Sequence, residues 1–298
     1  MIHLEVATLP AYELLDSGAG FRLERFGERV LERPDPNALW SRRLAPARWN
    51  AAHCRFDPDE RFGSSHWDRR GKAPEWEFVH GTLRLQLRLT SFKHTGLFPE
   101  QQPNWQWLEG LLAACTAAGA PPARVLNLFG YTGVASLVAA AAGATVCHVD
   151  ASPDAVEWAR LNQTRSGLKD APIRWITDDC IRFLEREERR GRRYDVVILD
   201  PPAFGRDKQG KVFRFEEHVP VLLSRVAAVL AERPLGLVFN AYSLGYSATV
   251  IHNLVAEILP EHGLGCHELV LRESVIDGLP TRLLPSGVCV RFRGADAP

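Results

Sequence analysis

The sequence predicts an α/β protein built on a mostly parallel sheet, preceded by a smaller, mainly β region. Past residue 125, strand patterns alternate with helical patterns at a spacing of roughly 25 residues, which is typical of parallel strands joined by right-handed crossovers. The segment YDVVILD is a continuous apolar run, as expected for a strand buried on both faces. Polar residues or glycines follow successive strands, and ligands of such sheets bind at the carboxyl ends of the strands.

Residues 1–90 are predicted to form the small mixed, mainly β domain. Short strand patterns (IHLEV, YELLD, FRLERFG and ERVLERP) are separated by Gly, Pro and Asp residues. Residues 34–74 have a loop-like composition. The segment WEFVHGTLRLQLRLTSF, residues 76–92, alternates apolar and polar residues around Gly81 and predicts a β-hairpin.

Residues 91–298 are predicted to form the larger domain. Its strand and helix patterns follow one another in chain order: VLNLF and VASLVAAAA, TVCHVDA and DAVEWARLNQ, IRWITDD and IRFLEREERR, YDVVILD and a helix near 216–232, LGLVFNAYS and ATVIHNLVAEIL, then the strands CHELVLRE and VCVRFR. Seven strands therefore make up the predicted sheet.

The composition predicts a soluble cytoplasmic protein. Basic and acidic residues balance at 36 each, so a nucleic-acid partner would be bound by a local patch rather than by net charge. The six cysteines include no CxxC pair, which indicates buried thiols rather than disulfides or a metal site. No run of 18 apolar residues occurs, so no membrane span is expected.

The first two strand ends carry features suited to a nucleoside cofactor. Gly130 and Gly133 bracket a tight turn after the first strand, and Thr132 is expected to cap the following helix. Asp150 ends the second strand 20 residues after Gly130, a spacing at which a carboxylate accepts hydrogen bonds from ribose hydroxyls. Ser152 is the expected N-cap of the helix that follows.

The next two strand ends are acidic as well. Asp178 and Asp179 precede a helix, where a carboxylate either accepts from an adenine amino group or caps the helix. After the fourth strand comes DPPAF, in which Pro201 and Pro202 fix the backbone beside Asp200. Together with the ring of Phe204, this rigid edge is suited to gripping a planar amide or base.

The motifs NLFGYTG, HVDAS, ITDDC and LDPPAF, in this order and spacing, resemble those of a class I S-adenosylmethionine-dependent methyltransferase with its Rossmann-like sheet. The segment SFKHTGLFPEQ, residues 91–101, is similar to the KTGxFLDQR stretch of bacterial 23S ribosomal RNA base methyltransferases, and DPPAF resembles their DPPxF. The resemblance covers roughly residues 90–245. It implies S-adenosyl-L-methionine as cofactor and ribosomal RNA as partner.

The resemblance also implies roles for individual residues. Asp150 would bind the ribose and Asp179 the adenine. The catalytic edge would consist of Asp200, Pro201, Pro202 and Phe204. Asp200 would also bind the cofactor, next to its methyl group. Gly96 and Gln101 belong to the same motif as Lys93. Further cofactor-binding residues would be Lys93, Thr95, Phe98, Asn127, Phe129, Gly130, Thr132, Gly133, Ala151, Ser152 and Cys180.

Two departures from the family pattern bear on the substrate and the reaction. Pro99 and Glu100 replace the family's Leu and Asp. Methylation of pyrimidine C5 requires a cysteine thiolate near the fourth or fifth strand end, and neither LDPPAFG nor VFNAYSLG contains one. Cys180 is expected to be buried. The sequence therefore favours direct transfer to a nitrogen of the substrate, which residues at the fifth strand end would contact: Asn240, Tyr242 and Ser243.

Several features of the sequence are compatible with more than one interpretation. Tryptophans and arginines interleave in the first 107 residues, a mixture that suits unstacked bases but also the core of a small domain. The segment REERRGRR is interpreted as a solvated helix end. Besides RNA methylation, the motifs are compatible with methylation of a protein side-chain amide, or with a non-catalytic RNA-binding factor that retains the cofactor fold. The oligomeric state is left open.

Overall fold

The computed structural model describes residues 2–57, 66–68, 75–90, 93–206, 212–242, 245–276, 278–295 and 297. The chain forms two compact units. The first, here the sheet unit, comprises Met1–Glu5, Pro103–Leu269 and Gly287–Pro298; the second, the N-terminal unit, comprises Val6–Gln102 and Val270–Ser286. The sequence places its boundary after residue 90, whereas these units change at Gln102. The N-terminal unit also includes Val270–Ser286, the segment around the connection between the last two strands.

The strands are β1 Ile2–Val6, β2 Tyr12–Gly18, β3 Phe21–Phe26, β4 Arg29–Pro34, β5 Cys54–Asp57, β6 His66–Asp68, β7 Glu75–His80, β8 Leu83–Arg88, β9 Arg124–Leu128, β10 Thr145–Asp150, β11 Ile173–Thr177, β12 Val196–Leu199, β13 Phe204–Arg206, β14 Val212–Arg214, β15 Gly236–Ala241, β16 Leu264–Arg272 and β17 Leu283–Arg293. The helices are α1 Pro46–Asn50, α2 Gln102–Ala117, α3 Val134–Ala141, α4 Pro153–Arg165, α5 Cys180–Arg189, α6 Phe215–Val229 and α7 Ala248–Ala256. Short 3-10 turns occupy Pro99–Gln101 and Glu261–Gly263.

The main sheet has the strand order β1-β16-β17-β15-β12-β9-β10-β11. Neighbouring strands from β15 to β11 are parallel, and β17 is antiparallel to β15. The predicted fold class, a Rossmann-like and mostly parallel sheet with a mainly β region before it, is confirmed. The sheet has an eighth strand beyond the predicted seven because the first segment of the chain, β1, lies at its edge.

The strand order brings the predicted site elements to neighbouring strands. The parallel part of the sheet starts in the middle at β9, proceeds outward through β10 and β11, then continues on the other side of β9 with β12. The order of strands therefore reverses between β9 and β12, and ligands of open α/β sheets bind at the carboxyl ends of the strands at such a reversal. Buried side chains from β9, β10, β12 and β15, together with α5, α6 and α7, make up the core that supports this edge.

The N-terminal unit contains the strands β2-β3-β4-β5-β6 in one sheet and the hairpin β7-β8. The hairpin around Gly81 and the strands predicted before residue 34 are confirmed. The loop-like interpretation of residues 34–74 is wrong at α1, β5 and β6, whereas residues 35–45 and 51–53 form no helix or strand, as predicted. Alternate side chains of β5 are buried, and this pattern is too short to stand out in the sequence.

Three of the tryptophans among the first 107 residues are core residues. Trp49, Trp67 and Trp105 have side chains at most 7% exposed. The guanidinium of Arg42 lies over the ring of Trp49 at 3.7 Å. For these three rings the arginine-tryptophan mixture therefore reflects packing. The segment REERRGRR contains the end of α5 at Arg189, as predicted for a helix end.

Ionised side chains are buried together in the N-terminal unit. The carboxylate of Glu24 accepts hydrogen bonds from Arg33 Nε at 2.7 Å and Arg33 Nη2 at 2.9 Å, and from the Tyr12 hydroxyl at 2.8 Å. Arg22 lies 3.2 Å from the same carboxylate. Paired charges of this kind stabilise the fold only as a set, because removal of one member leaves its partner buried and uncompensated.

The helices in the described residues are all too short or too polar to cross a lipid bilayer.

Candidate active site

The turn after β9 has an unusual backbone conformation. Phe129 and Tyr131 adopt left-handed φ values of 56° and 48°, and Gly133 adopts 83°. Left-handed φ is uncommon for aromatic residues and costs on the order of 1–3 kcal/mol each, so the surrounding structure must stabilise it. Backbone bonds from Gly130 N to Val149 O at 3.1 Å and from Gly133 N to Gly130 O at 2.9 Å provide part of this stabilisation.

Gly130 is required by the packing beneath the turn. A Cβ at this position would lie 2.4 Å from Cε1 of His148 and 3.0 Å from Nδ2 of Asn127. Both side chains are buried, and Ser136 links them: Asn127 Nδ2 donates to Ser136 Oγ at 2.9 Å, and Ser136 Oγ lies 3.0 Å from His148 Nδ1. Burial lowers the pKa of His148 to about 3, so the ring is neutral at physiological pH.

The helix cap predicted at Thr132 is wrong. Gly133 occupies the N-cap position of α3 without a side-chain hydrogen bond, and Thr132 is buried. The carbonyl of Thr132 accepts a hydrogen bond from Asn162 Nδ2 at 3.1 Å. At Gly133 itself, a Cβ would come within 2.8 Å of Ala159 Cβ, so this residue allows close approach of the turn to α4.

Asp150 connects two strand ends. Its Oδ2 accepts from the backbone N–H of Tyr131 at 2.9 Å, and its Oδ1 accepts from the backbone N–H of Ser152 at 2.8 Å. Burial raises the pKa of Asp150, while these two hydrogen bonds act in the opposite direction. Each carboxylate oxygen retains a lone pair for a further donor, so the half-buried group has the chemistry needed to accept ribose hydroxyls.

Caps account for the polar residues that start the next two helices. Ser152 caps α4 by accepting from Ala155 N at 3.3 Å, as predicted, and Asp179 caps α5 by accepting from Arg182 N at 2.9 Å. The neighbouring Asp178 pairs with Arg186. Ala151 and Ser152 are exposed beside the end of β10. A carboxylate that caps a helix has remaining acceptor capacity, so an adenine contact by Asp179 stays a prediction.

Cys180 is buried at the first position of α5, as predicted. Burial raises the pKa of its thiol well above the ordinary value, and the nearby Asp150 carboxylate acts in the same direction. The other cysteines are buried as well: Cys54, Cys115, Cys147, Cys266 and Cys289. Thiols of this kind are poor nucleophiles because the thiolate is not formed at neutral pH. Among the residues that the structure describes, no group of three or more potential metal ligands is arranged to hold an ion.

The Asp-Pro-Pro segment follows β12 at the strand-order reversal. Pro201 is buried, Pro202 is exposed, and Phe204 begins the hairpin β13-β14 with its side chain 60% exposed. The hairpin is anchored by Phe215 N, which donates to Ala203 O at 3.2 Å. An exposed phenylalanine next to a rigid polar edge has the geometry of a stacking surface for a planar group.

The end of β15, the fifth strand of the predicted sheet, forms internal contacts rather than a surface for the substrate. Asn240 is only 1% exposed; inside the protein its Oδ1 accepts from Asn104 Nδ2 at 2.9 Å and its Nδ2 donates to Leu199 O at 3.4 Å. The predicted contact of Asn240 with the target is therefore wrong. Tyr242 is half-buried, and its ring occupies the space next to Gly287. Ser243 lies outside the described residues.

Lys93, Thr95 and Phe98 belong to the N-terminal unit. Lys93 Nζ lies 3.5 Å from Pro34 O, and burial lowers the pKa of this lysine. Thr95 is fully buried, and Phe98 packs against His94 with ring centroids 5.3 Å apart. Burial raises the pKa of Glu100, one of the two residues that depart from the family pattern. The cofactor roles of Lys93, Thr95 and Phe98 stay predictions.

Sequence reasoning missed three residues that shape the site: Tyr131, Ser136 and His148. Tyr131 contributes a backbone N–H, which any residue type could supply, so its side chain gave no signal. His148 lies in the strand TVCHVD, where a polar residue among apolar neighbours was the available sign of an internal hydrogen bond.

A parallel sheet whose strand-order reversal brings a glycine turn, an acidic strand end and a rigid Asp-Pro-Pro edge together is the architecture of a class I methyltransferase. The family model of S-adenosylmethionine-dependent methyltransferases matches residues 28–245, and the chain belongs to this family. It is accordingly an enzyme that uses S-adenosylmethionine as its cofactor.

Solved and curated relatives agree with this assignment. The crystal structure of a SAM-dependent methyltransferase from Agrobacterium tumefaciens is 40% identical, superposes with a TM-score of 0.90, and matches over 98% of this chain and 93% of the other. Ribosomal RNA large subunit methyltransferase K/L of Chromohalobacter salexigens is 35% identical over 149 residues, which is 49% of this chain and 19% of the relative.

The protein of the same name from Syntrophotalea carbinolica is 31% identical over 180 residues, covering 60% of this chain and 24% of the relative. The chain thus spans about a fifth to a quarter of the length of these curated relatives.

Proposed function

We propose that this enzyme transfers the methyl group of S-adenosylmethionine to a nitrogen atom of a base in ribosomal RNA. The observation that carries this proposal is the position of the Asp-Pro-Pro-Ala-Phe segment: it follows β12 directly, beside β9 and its glycine turn, and ends in an exposed aromatic ring. Relatives named as ribosomal RNA methyltransferases support RNA as the substrate class.

The protein's own residues would first bind the cofactor. Asp150 would accept the ribose hydroxyls, and Asp179 the adenine amino group. Asn127, Phe129, Gly130, Thr132 and Gly133 would shape the turn around the methionine part; the assignment extends to Ala151, Ser152 and Cys180, and to Lys93, Thr95 and Phe98 of the N-terminal unit. The bound cofactor supplies an electrophilic methyl group on a sulfonium.

The Asp-Pro-Pro edge would then orient the acceptor. Asp200 and the rigid carbonyl groups beside Pro201 and Pro202 would accept hydrogen bonds from N–H groups of the base, which turns a nitrogen lone pair toward the methyl group. Phe204 would stack on the base. Transfer would be a single displacement: the nitrogen–carbon bond forms as the carbon–sulfur bond breaks, the sulfur keeps the bonding electron pair, and the methylated nitrogen, then positively charged, releases its proton to water.

Direct transfer to nitrogen is supported by the state of the cysteines. Chemistry at pyrimidine C5 requires a thiolate that adds to the ring. All six cysteines are buried, and burial raises the pKa of Cys180, the one in the ITDDC motif. A substrate nitrogen carries its own lone pair and needs no protein nucleophile. Action on ribosomal RNA would place the enzyme in the cytoplasm.

The test is methyl transfer from labelled S-adenosylmethionine to ribosomal RNA extracted from cells that lack the protein. We expect label in RNA, in a methylated nucleoside whose methyl group is attached to nitrogen by mass spectrometry. Label in protein instead would favour a side-chain amide as the acceptor. RNA binding without any label would favour a non-catalytic RNA-binding factor. Either outcome overturns the proposal.

A further inference from the structure

The peptide bond between Leu199 and Asp200 is the last one before the two prolines. Asp200 N donates to Leu128 O of β9 at 3.4 Å, and Leu199 O accepts from Asn240 Nδ2 of β15 at 3.4 Å. Both bonds are long, and the following Pro201 and Pro202 have no backbone N–H to add a third. The Asn240 amide is therefore one of the contacts that orient the start of the Asp-Pro-Pro edge, and it acts only if it is itself oriented.

A buried chain of polar side chains orients that amide. Asn240 Oδ1 accepts from Asn104 Nδ2 at 2.9 Å, and Asn104 Oδ1 accepts from Arg291 Nε at 2.6 Å. Arg291 Nη1 donates in turn to Glu5 Oε1 at 3.2 Å. The side chains of Asn104, Asn240 and Arg291 are 4%, 1% and 6% exposed, so water does not compete for these bonds.

The donor and acceptor of each hydrogen bond in this series follow from Arg291 at one end. A guanidinium has only donors, so Arg291 requires the oxygen of Asn104 to face it. Cys289 Sγ, a thiol whose pKa burial raises to about 12, donates to the same oxygen at 3.3 Å. Asn104 must then present its NH2 group to Asn240. Asn240 consequently presents its oxygen to Asn104 and its NH2 group to Leu199 O.

We propose that Arg291, Asn104 and Asn240 form a polar relay that orients the Leu199–Asp200 peptide and makes Asn240 a positioning residue for methyl transfer. The relay acts through the protein backbone and does not touch cofactor or substrate. Its catalytic consequence rests on the proposed function, in which the edge after β12 orients the acceptor. Loss of the relay is expected to lower kcat rather than raise KM, because the edge remains present but loses its fixed orientation.

Two substitutions break the hydrogen bonds of the relay without changing the volume of the side chain. In Asn240→Asp, a carboxylate faces Leu199 O with an acceptor where a donor is needed. In Asn104→Asp, the carboxylate still accepts from Arg291 in a favourable ion pair but cannot donate to Asn240. We expect kcat on ribosomal RNA to fall about 10- to 100-fold in both variants, the size of effect seen for small misplacements of reacting groups. Cofactor affinity by calorimetry should stay within about threefold.

Hydrogen exchange provides a second measurement that needs no substrate. Because the relay holds the peptide whose N–H belongs to Asp200, both variants should exchange that amide at least about tenfold faster by NMR. Gln163→Glu is the matched control: it changes a buried amide to a carboxylate in the same unit, where Gln163 Nε2 donates to Leu168 O at 2.9 Å. The control should leave the exchange of the Asp200 amide unchanged.

The outcomes separate the relay from the proposed function. Unchanged exchange at Asp200 in both variants overturns the relay, whatever the activity. Faster exchange with unchanged kcat overturns its role in methyl transfer. If the wild-type enzyme does not methylate RNA, the proposed function fails, while the exchange data still decide whether the relay orients this peptide. Should Asn240→Asp not fold, Asn104→Asp decides, because its new carboxylate remains paired with Arg291.

Discussion

The backbone N–H of Tyr131 donates to Oδ2 of Asp150 at 2.9 Å, which joins the strained turn after β9 to the end of β10. The other carboxylate oxygen accepts from Ser152 N at 2.8 Å. One side chain thus fixes the backbone on both sides of the expected ribose position. The two acceptors of a carboxylate are needed for this arrangement, since an amide has a single oxygen.

Asp150→Asn should therefore weaken the turn and the cofactor contact together. One backbone N–H loses its acceptor, and a hydrogen bond to a charged group contributes about 1.5–3 kcal/mol, so affinity for S-adenosylmethionine should fall about 10- to 150-fold. Calorimetric titration measures this. Asp154→Asn, an exposed acidic residue in the first turn of α4, is the control and should bind normally. Unchanged affinity in Asp150→Asn would remove this residue from the cofactor site.

Gly130→Ala should destabilise the protein because the added methyl group meets a buried ring. The Cβ would lie 2.4 Å from His148 Cε1, a contact that the tightly packed ring cannot relieve by rotation alone. Overpacking of this kind costs about 1–3 kcal/mol of unfolding free energy. The same substitution at Gly110 in α2 meets nothing within 4 Å and should be neutral or stabilising. Urea denaturation of both variants gives the comparison, and equal stabilities would contradict the packing argument.

The buried imidazole of His148 predicts a pH dependence of stability. Its pKa is lowered by burial from 6.5 to about 3, so between these values the unfolded chain binds a proton that the folded chain does not. The contribution of the neutral His148 ring to the free energy of unfolding is fully present above pH 6.5. It is lost as the pH falls from 6.5 toward 3, at about 1.4 kcal/mol per pH unit.

His148→Gln keeps a polar side chain but cannot titrate. Between pH 6 and pH 5 its unfolding free energy should fall less steeply than that of the wild type, by about 1 kcal/mol per pH unit. Denaturation midpoints at several pH values test this. Parallel curves for the two proteins would show that another group carries the dependence.

Part of the fold and of the candidate site can be predicted from the sequence. Strand-helix alternation and the apolar run before Asp200 predict the sheet, because burial on both faces leaves a continuous signal. The polar ends of successive strands predict where the site lies, since parallel strands share one carboxyl edge. The role of Asn240 was missed because its partners, Asn104 and Arg291, are distant in sequence, and an internal bond between them leaves no local pattern. The left-handed φ of Tyr131 depends likewise on tertiary contacts.

Cys180→Ala should retain methyl transfer. The thiol is buried, its pKa is raised well above the ordinary value, and attack by a substrate nitrogen does not use it. We expect kcat within about threefold of wild type, with a loss of stability of about 1 kcal/mol from the small cavity. Methylation of ribosomal RNA with labelled cofactor measures the rate, and thermal unfolding checks the fold. A folded variant that still binds S-adenosylmethionine but is inactive would indicate thiolate chemistry at a ring carbon instead.

Phe204→Ala should weaken productive binding of RNA and leave the cofactor unaffected. The ring is 60% exposed at the start of β13, so its removal costs little folding energy, but stacking of an aromatic ring on an unstacked base contributes about 1–3 kcal/mol. The specificity constant kcat/KM for RNA should fall about 5- to 150-fold. Phe204→Tyr preserves the stacking surface and should keep kcat/KM for RNA close to that of the wild type. Val221→Ala, which truncates another exposed apolar side chain on α6, is the matched control. If Phe204→Ala and Val221→Ala had the same kinetics, the ring would not contact the base, and the acceptor would have to be oriented by Asp200 and the proline carbonyls alone.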